Sequence, residues 1–457
     1  MMPFMANVRE YGAVGNGFVD DTDAFQAALR SIQAHGGGIL VVPGAEPGFA
    51  GKYLIGPLAL TSNLQMILAE HVTLLGITKE DAWPLLPPLP SYGRARNGGA
   101  LRHASLLHGI SVENVTLVGN GNTSIINGQG AYWWERVRNR TLTYDAGHLI
   151  EFMHSSNIVI RNLRMENSPS WNNHFYDCDN VHVKQVDIWA PESSPFTDGW
   201  DPDSSRNVLI EDSTYAAGDD CVAIKSGWDC FGVDYARPSV NITIRNLVCH
   251  GFSAGIAIGS EMSGGVENVT VENIRFTKSN KPADIKVSKK RGGYVRNIAF
   301  RDIIVDGPIQ RAIHVDMFHY NDSPNPSCPD DWEPPSLTEI TNLTFVRFNG
   351  RKATYYDYKG RPNETYHFMA YSDSPIRNVF MQDVYFPTNG LAWNCSAVHG
   401  KIIGHSVLPW PPCNGFLVQR SNQEVHSLVW NLLRIVFILS VLLKIVLGRR
   451  RKRRETC

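Results

Sequence analysis

Between residues 110 and 390, one short pattern of polar and apolar positions returns many times. Each copy has a small polar residue, an asparagine and then alternating apolar positions, as in SVENVTLVGN, SSNIVIRNLRMEN and GVENVTVENIRF. Alternation with a period of two residues predicts a β-strand in each copy. The marker asparagines follow one another at intervals of roughly 23 to 34 residues, which is typical of one coil in a stacked array. They are Asn157, Asn180, Asn207, Asn241, Asn268 and Asn297.

A single coil of two or three short strands cannot bury its apolar face alone. Consecutive coils must therefore stack, so that Val, Ile and Leu at equivalent positions form a continuous core. The predicted fold is all-β, a single-stranded parallel β-helix. Asparagine suits the corner of each coil, because it tolerates a left-handed backbone and its amide can bond to the asparagine one coil away. A string of immunoglobulin-like sandwiches would show shorter spacing and hairpin turns.

Upstream of the repeats, the segment DDTDAFQAALRSIQAHGGG predicts one α-helix. Asp20 or Thr22 is the expected N-terminal cap, and the apolar residues Phe25, Leu29 and Ile32 share one side. The glycines at 36–38 end the helix. We expect this helix to cap the open N-terminal end of the core.

The repeat pattern stops at about residue 392, and the C-terminal part of the chain has a different composition. We predict a β-helix domain over residues 1–392 and, because of the prolines in LPWPPCNG, a linker over 393–427. Residues 428–447 are apolar over the length of a bilayer core, which predicts a transmembrane helix. The basic residues that follow make 448–457 a cytosolic tail. An amphipathic helix lying on an anionic membrane surface is the alternative.

Sequence signals for location point to the secretory route without a visible signal peptide. Asn-x-Ser/Thr sequons recur along the chain, for example at Asn114, Asn139 and Asn394, although a strand pattern rich in NVT and NIT produces some of them anyway. The first residues lack a basic segment followed by an apolar stretch. We expect a membrane-anchored protein with its body outside the cytosol or in a lumen.

Charge and cysteine content narrow the candidate partners. The formal net charge is −1 and the pI is about 6.9, so bulk charge gives no argument for nucleic-acid binding. The eight cysteines are scattered, with no CxxC pair and no zinc-like spacing to histidine. We therefore expect no metal site built on sulfur, and we expect a monomer.

One acidic stretch stands out, FTDGWDPDSSRNVLIEDSTYAAGDDC. Residues one coil apart lie about 5 Å from each other, so Asp198 should meet Asp219 and Asp220 on one face. Clustered carboxylates separate one another's pKa values and can supply an acid and a base at one pH, as cleavage of a glycosidic bond requires. The alternative is a set of acidic loop residues that covers a solvated edge or holds calcium.

Four motifs, TDGWDPDSS, GDDCVAIKSG, AGIAIGSEMSGGVENV and IKVSKKRGGYVRNI, occur in an order and spacing that resemble glycoside hydrolase family 28, the polygalacturonases. The resemblance extends over about residues 8–390 and is greatest to the plant-type and bacterial branch. It implies a right-handed, pectin-lyase-like β-helix. It also implies that the chain hydrolyses a pectic polysaccharide with inversion and needs no metal ion or other cofactor.

The resemblance also assigns roles by position. Asp219 would be the general acid that protonates the leaving oxygen, and Asp198 and Asp220 would activate the attacking water. Lys286 matches the lysine that binds a substrate carboxylate. Arg291 follows closely in KVSKKRGG, and a polyanionic substrate requires cations in its cleft, although a solvated basic loop is the alternative.

Two further substrate-binding candidates come from coil position. His174 lies one coil before Asp198, and Lys225 lies on the strand that follows the acidic pair. The chain also departs from the family pattern, with Phe196 at an asparagine position, Ala254 at a histidine position and Asp284 at an arginine position. An aspartate in place of a cation makes a neutral-sugar or decorated pectin an alternative to polygalacturonan.

Two other functions are weighed against the hydrolase. One is a catalytically weak β-helix that binds wall polysaccharide, and the other is a pectate lyase that needs calcium beside a basic proton abstractor. For an inverting hydrolase, we expect the carboxyl oxygens of Asp198 and Asp219 to lie about 6 to 10 Å apart.

Overall fold

The computed structural model describes residues 3–94, 100–319, 324–355, 364–387 and 391–419. These residues form an all-β, right-handed parallel β-helix, which confirms the predicted fold. The larger sheet, which we call the ladder sheet, follows the corners of the coils. Its strands are Met5–Asn7, Asn16–Asp20, Gly38–Val42, Lys52–Ile55, Leu64–Leu68, Val72–Gly76, Glu113–Asn127, Ser156–Glu166, Asp179–Trp189, Arg206–Glu211, Thr214–Ala217, Ser239–Gly251, Val266–Lys278, Tyr294–Val305, Glu339–Asn349, Ile376–Tyr385, Val398–Ile403, Val407–Leu408 and Phe416–Gln419.

A second sheet closes each coil with a shorter parallel strand, and we call it the short-strand sheet. Its strands are Leu58–Ala59, Leu107–Ile110, Ile150–Met153, Asn173–Tyr176, Trp200–Asp203, Val222–Ile224, Ala254–Gly259, Lys281–Lys286, Ile313–Asp316, Glu364–Met369 and Leu391–Ser396. Two small pairs accompany the sheets, Leu85–Leu86 with Arg102–His103 and Pro308–Ile309 with Thr354–Tyr355.

The core is built from equivalent residues of successive coils. Inward-facing side chains of the ladder sheet pair in register and are fully buried, so each coil covers the apolar face of the next. One such stack is Ile158, Val181, Val208, Ile242, Val269, Ile298, Leu343 and Val379.

The marker asparagines form the predicted ladder. Asn268, for example, has φ 57°, and its Nδ2 donates to Oδ1 of Asn241 at 3.4 Å, while Nδ2 of Asn297 donates to Oδ1 of Asn268 at 3.1 Å. Asn342 and Asn378 continue the chain of bonds at 2.8 and 3.0 Å. Asparagine therefore serves both the left-handed corner and the bond between coils, as expected.

The N-terminal helix Thr22–Ala34 buries Phe25, Leu29 and Ile32 against the first coils, which confirms the predicted cap on the core. Its N-cap residue is Asp21 rather than Asp20 or Thr22. The carboxylate of Asp21 instead accepts the backbone N–H groups of Val14 and Gly15, which ties the helix start to the preceding loop.

The described residues include four shorter helical segments. Ala131–Asn139 and Asp229–Tyr235 are α-helical, and Val8–Tyr11 and Glu80–Ala82 are 3₁₀ turns.

The β-helix extends beyond residue 392, which corrects part of the predicted linker. Four strands between residues 391 and 419 pair with the preceding coil or with one another, and a Cys395–Cys413 disulfide joins this segment. The prolines in LPWPPCNG lie between these strands, and Ala397 takes the left-handed conformation there, so the marker pattern fades while the pairing continues.

The remaining predicted segments, residues 420–427 of the linker, the helix at 428–447 and the tail at 448–457, lie outside the described residues. Within the part of the chain that the structure describes, no helix is long and apolar enough to cross a membrane.

Candidate active site

Alternate residues of the short-strand sheet face outward, and their in-register positions form two rows along the β-helix. The first row is His108, Glu151, His174, Asp201, Ala223, Ala257, Asp284, His314, His367 and Asn394. The second row includes Tyr176, Asp203, Lys225, Gly259, Lys286 and Asp316. Because inward positions are mostly apolar, these rows collect titratable side chains on one face.

The three predicted aspartates meet at the edge of this face. Asp198 precedes the strand Trp200–Asp203, and Asp219 and Asp220 precede Val222–Ile224. The N–H of Gly199 donates to the carbonyl oxygen of Asp220 at 3.0 Å, which holds the two turns together. One carboxylate oxygen from each aspartate lies within 4.8 Å of the others. The three acids predicted from one stretch of sequence therefore converge.

This spacing is shorter than the 6 to 10 Å expected between Asp198 and Asp219. The two turns belong to adjacent coils, so the distance between their side chains is set by the strand spacing of about 4.8 Å. Asp198 and Asp220 are buried, whereas Asp219 is partly exposed. Asp219 is consequently the aspartate whose carboxyl group is most open to a ligand.

Buried hydrogen bonds fix the backbone of both turns. The side-chain amide of Asn172 donates to the carbonyl oxygens of Thr197 and Asp198 at 3.2 and 2.9 Å. The Tyr215 hydroxyl donates to the carbonyl oxygen of Asp219 at 2.8 Å and accepts the N–H of Asp219 at 3.2 Å. Burial and the nearby carboxylates of Asp198 and Asp219 raise the pKa of Tyr215 well above its usual value, so its hydroxyl keeps its proton.

Lys286 joins the aspartates, as the sequence predicted. Its Nζ lies 2.7 Å from Oδ2 of Asp220, and the side chain is 18% exposed. Oδ1 of Asp220 accepts from the Ser253 hydroxyl and from the N–H of Ala254. Burial opposes ionisation of Asp220, but the Lys286 ammonium and these donors outweigh it and lower the pKa of Asp220. Asp220 is therefore ionised at neutral pH.

His174 lies one coil before Asp198, fully buried inside a charged network. Its Nδ1 is 2.9 Å from Glu151, and its Nε2 is 3.4 Å from Asp203. Burial disfavours the imidazolium, but Asp203 and Glu151 outweigh that effect and raise the pKa of His174. A neighbouring cleft is lined by residues that include Arg94, Arg102, His148, His174, Trp171 and Phe196.

Lys225 is also buried on this face. Its Nζ lies 3.2 Å from Glu261 and 3.9 Å from Asp201, and 4.8 Å from the centroid of the Trp171 ring. Lys225 thus lies beside Trp171, which lines the neighbouring cleft.

Arg291 does not lie with these residues, which corrects the expectation for it. Its side chain is 0% exposed and its guanidinium pairs with Asp229, while Nε donates to the carbonyl oxygen of Ser260 at 2.7 Å. The basic cluster in the sequence did not reveal a carboxylate more than sixty residues away that would bury the arginine. Arg291 therefore has a structural role, as one member of a buried ion pair with Asp229.

Several polar residues of the two rows were not predicted. Glu151, His314, Asp316 and His367 each lie on a short strand, with no acidic cluster beside them in the sequence. Asp203 lies within the acidic stretch, but it was not singled out as a site residue. The available signal was the coil repeat itself, since a polar residue at an outward position recurs one coil later at the same place in the strand.

Comparison with known proteins defines the family. The sequence profile of Glycosyl hydrolases family 28 matches residues 51–405, and the chain belongs to this family. A probable polygalacturonase of Vitis vinifera is 42% identical over 300 residues, covering 65% of this chain and 60% of that protein. A probable polygalacturonase of Arabidopsis thaliana is 30% identical over 84% of this chain and 74% of that protein. The chain thus spans less than two thirds of the Vitis relative's length.

Solved structures share the fold. An exopolygalacturonase of Thermotoga maritima aligns with a TM-score of 0.67 at 22% identity over 92% of both chains. The polygalacturonase of Erwinia carotovora aligns with a TM-score of 0.66 at 22% identity, over 88% of this chain and 97% of that one. These similarities establish the right-handed β-helix.

Proposed function

We propose that the chain hydrolyses glycosidic bonds in a pectic polysaccharide, polygalacturonan or a related decorated pectin, by acid–base catalysis. The observation that carries the proposal is the convergence of Asp198, Asp219 and Asp220 within 4.8 Å, with Lys286 bound to one of them. Membership of the family and the names of its relatives support the substrate class.

The differences between the three carboxyl groups suggest their roles. Asp219 is the most open, and it would donate a proton to the glycosidic oxygen as the bond from that oxygen to the anomeric carbon breaks. Asp220 is ionised, and with Asp198 it would accept a proton from the water that attacks the same carbon. The sum of these steps adds one water across the bond and leaves the protein unchanged once the protons exchange with solvent.

Inversion at the anomeric carbon is part of the proposal and rests on the family resemblance. An inverting pair is commonly separated by about 6.5 to 9.5 Å and a retaining pair by about 5 to 5.5 Å, so the spacing here does not itself support inversion. Proton NMR of the first product formed from a defined oligosaccharide would decide this. Appearance of the retained anomer first would overturn inversion without affecting hydrolysis.

Cations near the aspartates support a uronate-containing substrate. Lys286 lies beside Asp220, and Arg94 and Arg102 line the neighbouring cleft. His174 lines this cleft, and Lys225 lies against the ring of Trp171, another residue of its wall. Asp284 is buried between Lys281 and His314, so the cation expected from the family pattern is replaced by a neutralised pair. We therefore include decorated pectin beside polygalacturonan.

The deciding experiment measures reducing-sugar release from a panel of pectic polymers by the purified full chain, with and without chelator. Hydrolysis predicts new reducing ends without the ultraviolet absorbance of an unsaturated product, and the Asp219→Asn chain is the matched control. Unsaturated product would indicate a lyase. Polymer binding without any cleavage would favour the polysaccharide-binding alternative.

We also propose that the protein follows the secretory route. The structure pairs Cys221 with Cys249, Cys230 with Cys328 and Cys395 with Cys413, and disulfides persist in oxidising compartments.

The membrane anchor at residues 428–447 is a finer proposal that rests on hydropathy and on the basic residues after it. The full chain should stay with membranes after a carbonate wash, and a chain ending after Gln419 should be released. Extraction of the full chain by salt alone would favour the surface-bound alternative.

A further inference from the structure

Further along the two rows, away from the aspartates, two histidines and a carboxylate converge. His314 and Asp316 lie on the strand Ile313–Asp316, and His367 lies in register with His314 on the next strand, Glu364–Met369. One ligand atom from each of the three lies within 4.8 Å of the others. We infer that His314, Asp316 and His367 bind a divalent transition-metal ion, with zinc as the ion that best suits this donor set.

The distances favour a shared ion over direct hydrogen bonds. Nε2 of His314 and Nε2 of His367 each lie 3.6 Å from Oδ2 of Asp316. A separation of 3.6 Å is too long for a hydrogen bond. Two ligands about 2.0 to 2.1 Å from a tetrahedral zinc ion lie about 3.4 Å apart, which is close to the observed separations.

The far side of each imidazole ring is held by a carboxylate. Nδ1 of His314 lies 2.7 Å from Asp284, and Nδ1 of His367 lies 2.6 Å from Glu364. Each carboxylate thereby favours the tautomer that carries its proton on Nδ1 and leaves the lone pair of Nε2 directed at Asp316. Metal-binding histidines in proteins characteristically have such carboxylate partners.

Burial supplies an independent observation. His367 is 8% exposed, and its buried Nε2 has no hydrogen-bond partner among the residues that the structure describes. A buried polar atom without a partner is costly, and a bound cation would remove that cost. Asp316 is 13% exposed, so the trio is not sealed from solvent and an ion could enter.

Within the described part of the chain, two other groups have metal-like donor sets, and a protein cation pairs directly with a carboxylate of each. In the cluster of His148, Glu151 and His174, the guanidinium of Arg102 lies 2.9 Å from Glu151. In the aspartate trio, Lys286 lies 2.7 Å from Asp220. In the cluster of His314, Asp316 and His367, the protein cations Lys281 and Arg311 pair with Asp284 and Glu364, the carboxylates behind the imidazole rings. The cations therefore do not pair with the three proposed ligands themselves, which fit an external cation better than either of the other groups.

The ion would join two neighbouring strands, Ile313–Asp316 and Glu364–Met369, which belong to consecutive coils. It would consequently stabilise the C-terminal part of the β-helix, whether or not the chain is hydrolysing substrate. This structural role is separate from the chemistry expected at the aspartates, which lie about three strand spacings, roughly 14 Å, away along the same face. Lys286, which pairs with Asp220, is the residue of that site that lies next to Asp316 in register.

The test measures zinc binding by the purified full chain after chelator treatment, using competition with a chromophoric chelator. We expect one tightly bound zinc ion per chain and a rise in Tm on loading. His367→Gln and Asp316→Asn should each weaken binding by more than about 100-fold, and Glu364→Gln by about 10- to 100-fold.

Two matched controls separate this site from others. His154→Gln removes a half-exposed histidine that also pairs with a carboxylate, Asp177 at 2.9 Å, and should leave the zinc affinity unchanged. Asp219→Asn should also leave the affinity unchanged, since it alters the aspartate trio. Wild-type affinity in the His367→Gln chain, or an affinity lost only in Asp219→Asn, would overturn the inference.

A readout that needs no variant guards against misfolding of the substituted chains. X-ray absorption of the zinc-loaded wild-type chain should show two imidazole ligands at about 2.0 to 2.1 Å. Oxygen-only coordination, or failure of the wild-type chain to retain zinc through gel filtration, would exclude this site.

Discussion

The asparagine ladder and the first row of the short-strand sheet run along the same coils at the same interval, yet they differ in content. The ladder repeats one contact, an asparagine bonded to an asparagine, as with Asn297 between Asn268 and Asn342. The row changes its residue at almost every coil, from His174 to Asp201 and later to Asp284. Uniform contacts hold the coils in register, and variable side chains on the other sheet are available for chemistry.

The largest expected effect comes from removing the proposed general acid, which tests whether the short-strand face carries the chemistry and the ladder the stability. Asp219→Asn should lower kcat by at least about a thousandfold, because the amide keeps the shape but cannot donate the required proton. Tm should change little, since Asp219 is partly exposed and outside the core. The measurement pairs initial rates on an established pectic substrate with thermal unfolding. Unchanged turnover would remove the acid–base proposal.

The next test concerns the charge pair inside the site. Lys286→Met should reduce kcat/KM by about 10- to 100-fold through loss of a charge-assisted hydrogen bond. It should also move the acidic limb of the pH–rate profile to higher pH, because burial then raises the pKa of Asp220 without the opposing ammonium.

The same change has a predictable effect on stability. The pKa of Asp220 is lowered in the folded wild-type chain, so its contribution is present above the unfolded pKa and is lost as pH falls through the folded pKa. In Lys286→Met the folded pKa of Asp220 rises while the unfolded pKa is unchanged, so this pH-dependent contribution should shrink. Lys290→Met is a control, since Lys290 pairs with Glu333 elsewhere. Superimposable acidic limbs for wild type and Lys286→Met would contradict the pairing.

A substitution in the asparagine ladder should have the opposite effect to one among the aspartates: it should lower stability and leave kcat nearly unchanged. Asn297→Ala loses two amide hydrogen bonds and puts a residue with less tolerance of the left-handed conformation at φ 59°, so we expect a loss of about 1 to 3 kcal/mol in unfolding free energy with kcat nearly unchanged. Asn297→Gly relieves the backbone cost and isolates the amide bonds. Denaturant titration measures both variants. A fall in kcat at a temperature where the variant is folded would show that the two regions are coupled.

The smallest expected effect is on glycan attachment. The exposed sequon asparagines include Asn122, Asn139, Asn241, Asn268 and Asn342. The Nδ2 atoms of Asn241, Asn268 and Asn342 bond within the ladder, whereas Asn122 and Asn139 lie off it. We expect glycans at Asn122 and Asn139 and little at the ladder positions in material from a secretory host. Glycopeptide mass spectrometry measures the occupancy of each. Full occupancy at Asn268 would show that this rung is accessible before the coils close.

The ladder was predictable because its residues are identical and regularly spaced, and asparagine has a physical reason to occupy a left-handed corner. The aspartate trio was predictable because Asp198, Asp219 and Asp220 lie within one coil of each other in the sequence. The cluster of His314, Asp316 and His367 was not predictable. A long connection separates the two histidines, and their strands are too short to show periodicity.

The errors have a common origin in partners that are distant in sequence. Arg291 belonged to a visible basic cluster, but Asp229 determines where it lies. The last coils were assigned to a linker because prolines and the absent asparagine marker obscured strands whose hydrogen bonds go to earlier coils. The local sequence pattern predicts which positions repeat from coil to coil. It does not predict which distant residue a particular side chain contacts once the coils stack.

The ladder also bears on how the length of the molecule can change. Because each amide needs only an identical neighbour, a whole coil could be inserted or deleted and every remaining asparagine would still find a partner. The short-strand face would then grow or shrink by one strand spacing, about 4.8 Å. Changes in the reach of the binding face are therefore restricted to whole steps, and a partial coil would interrupt both the ladder and the rows.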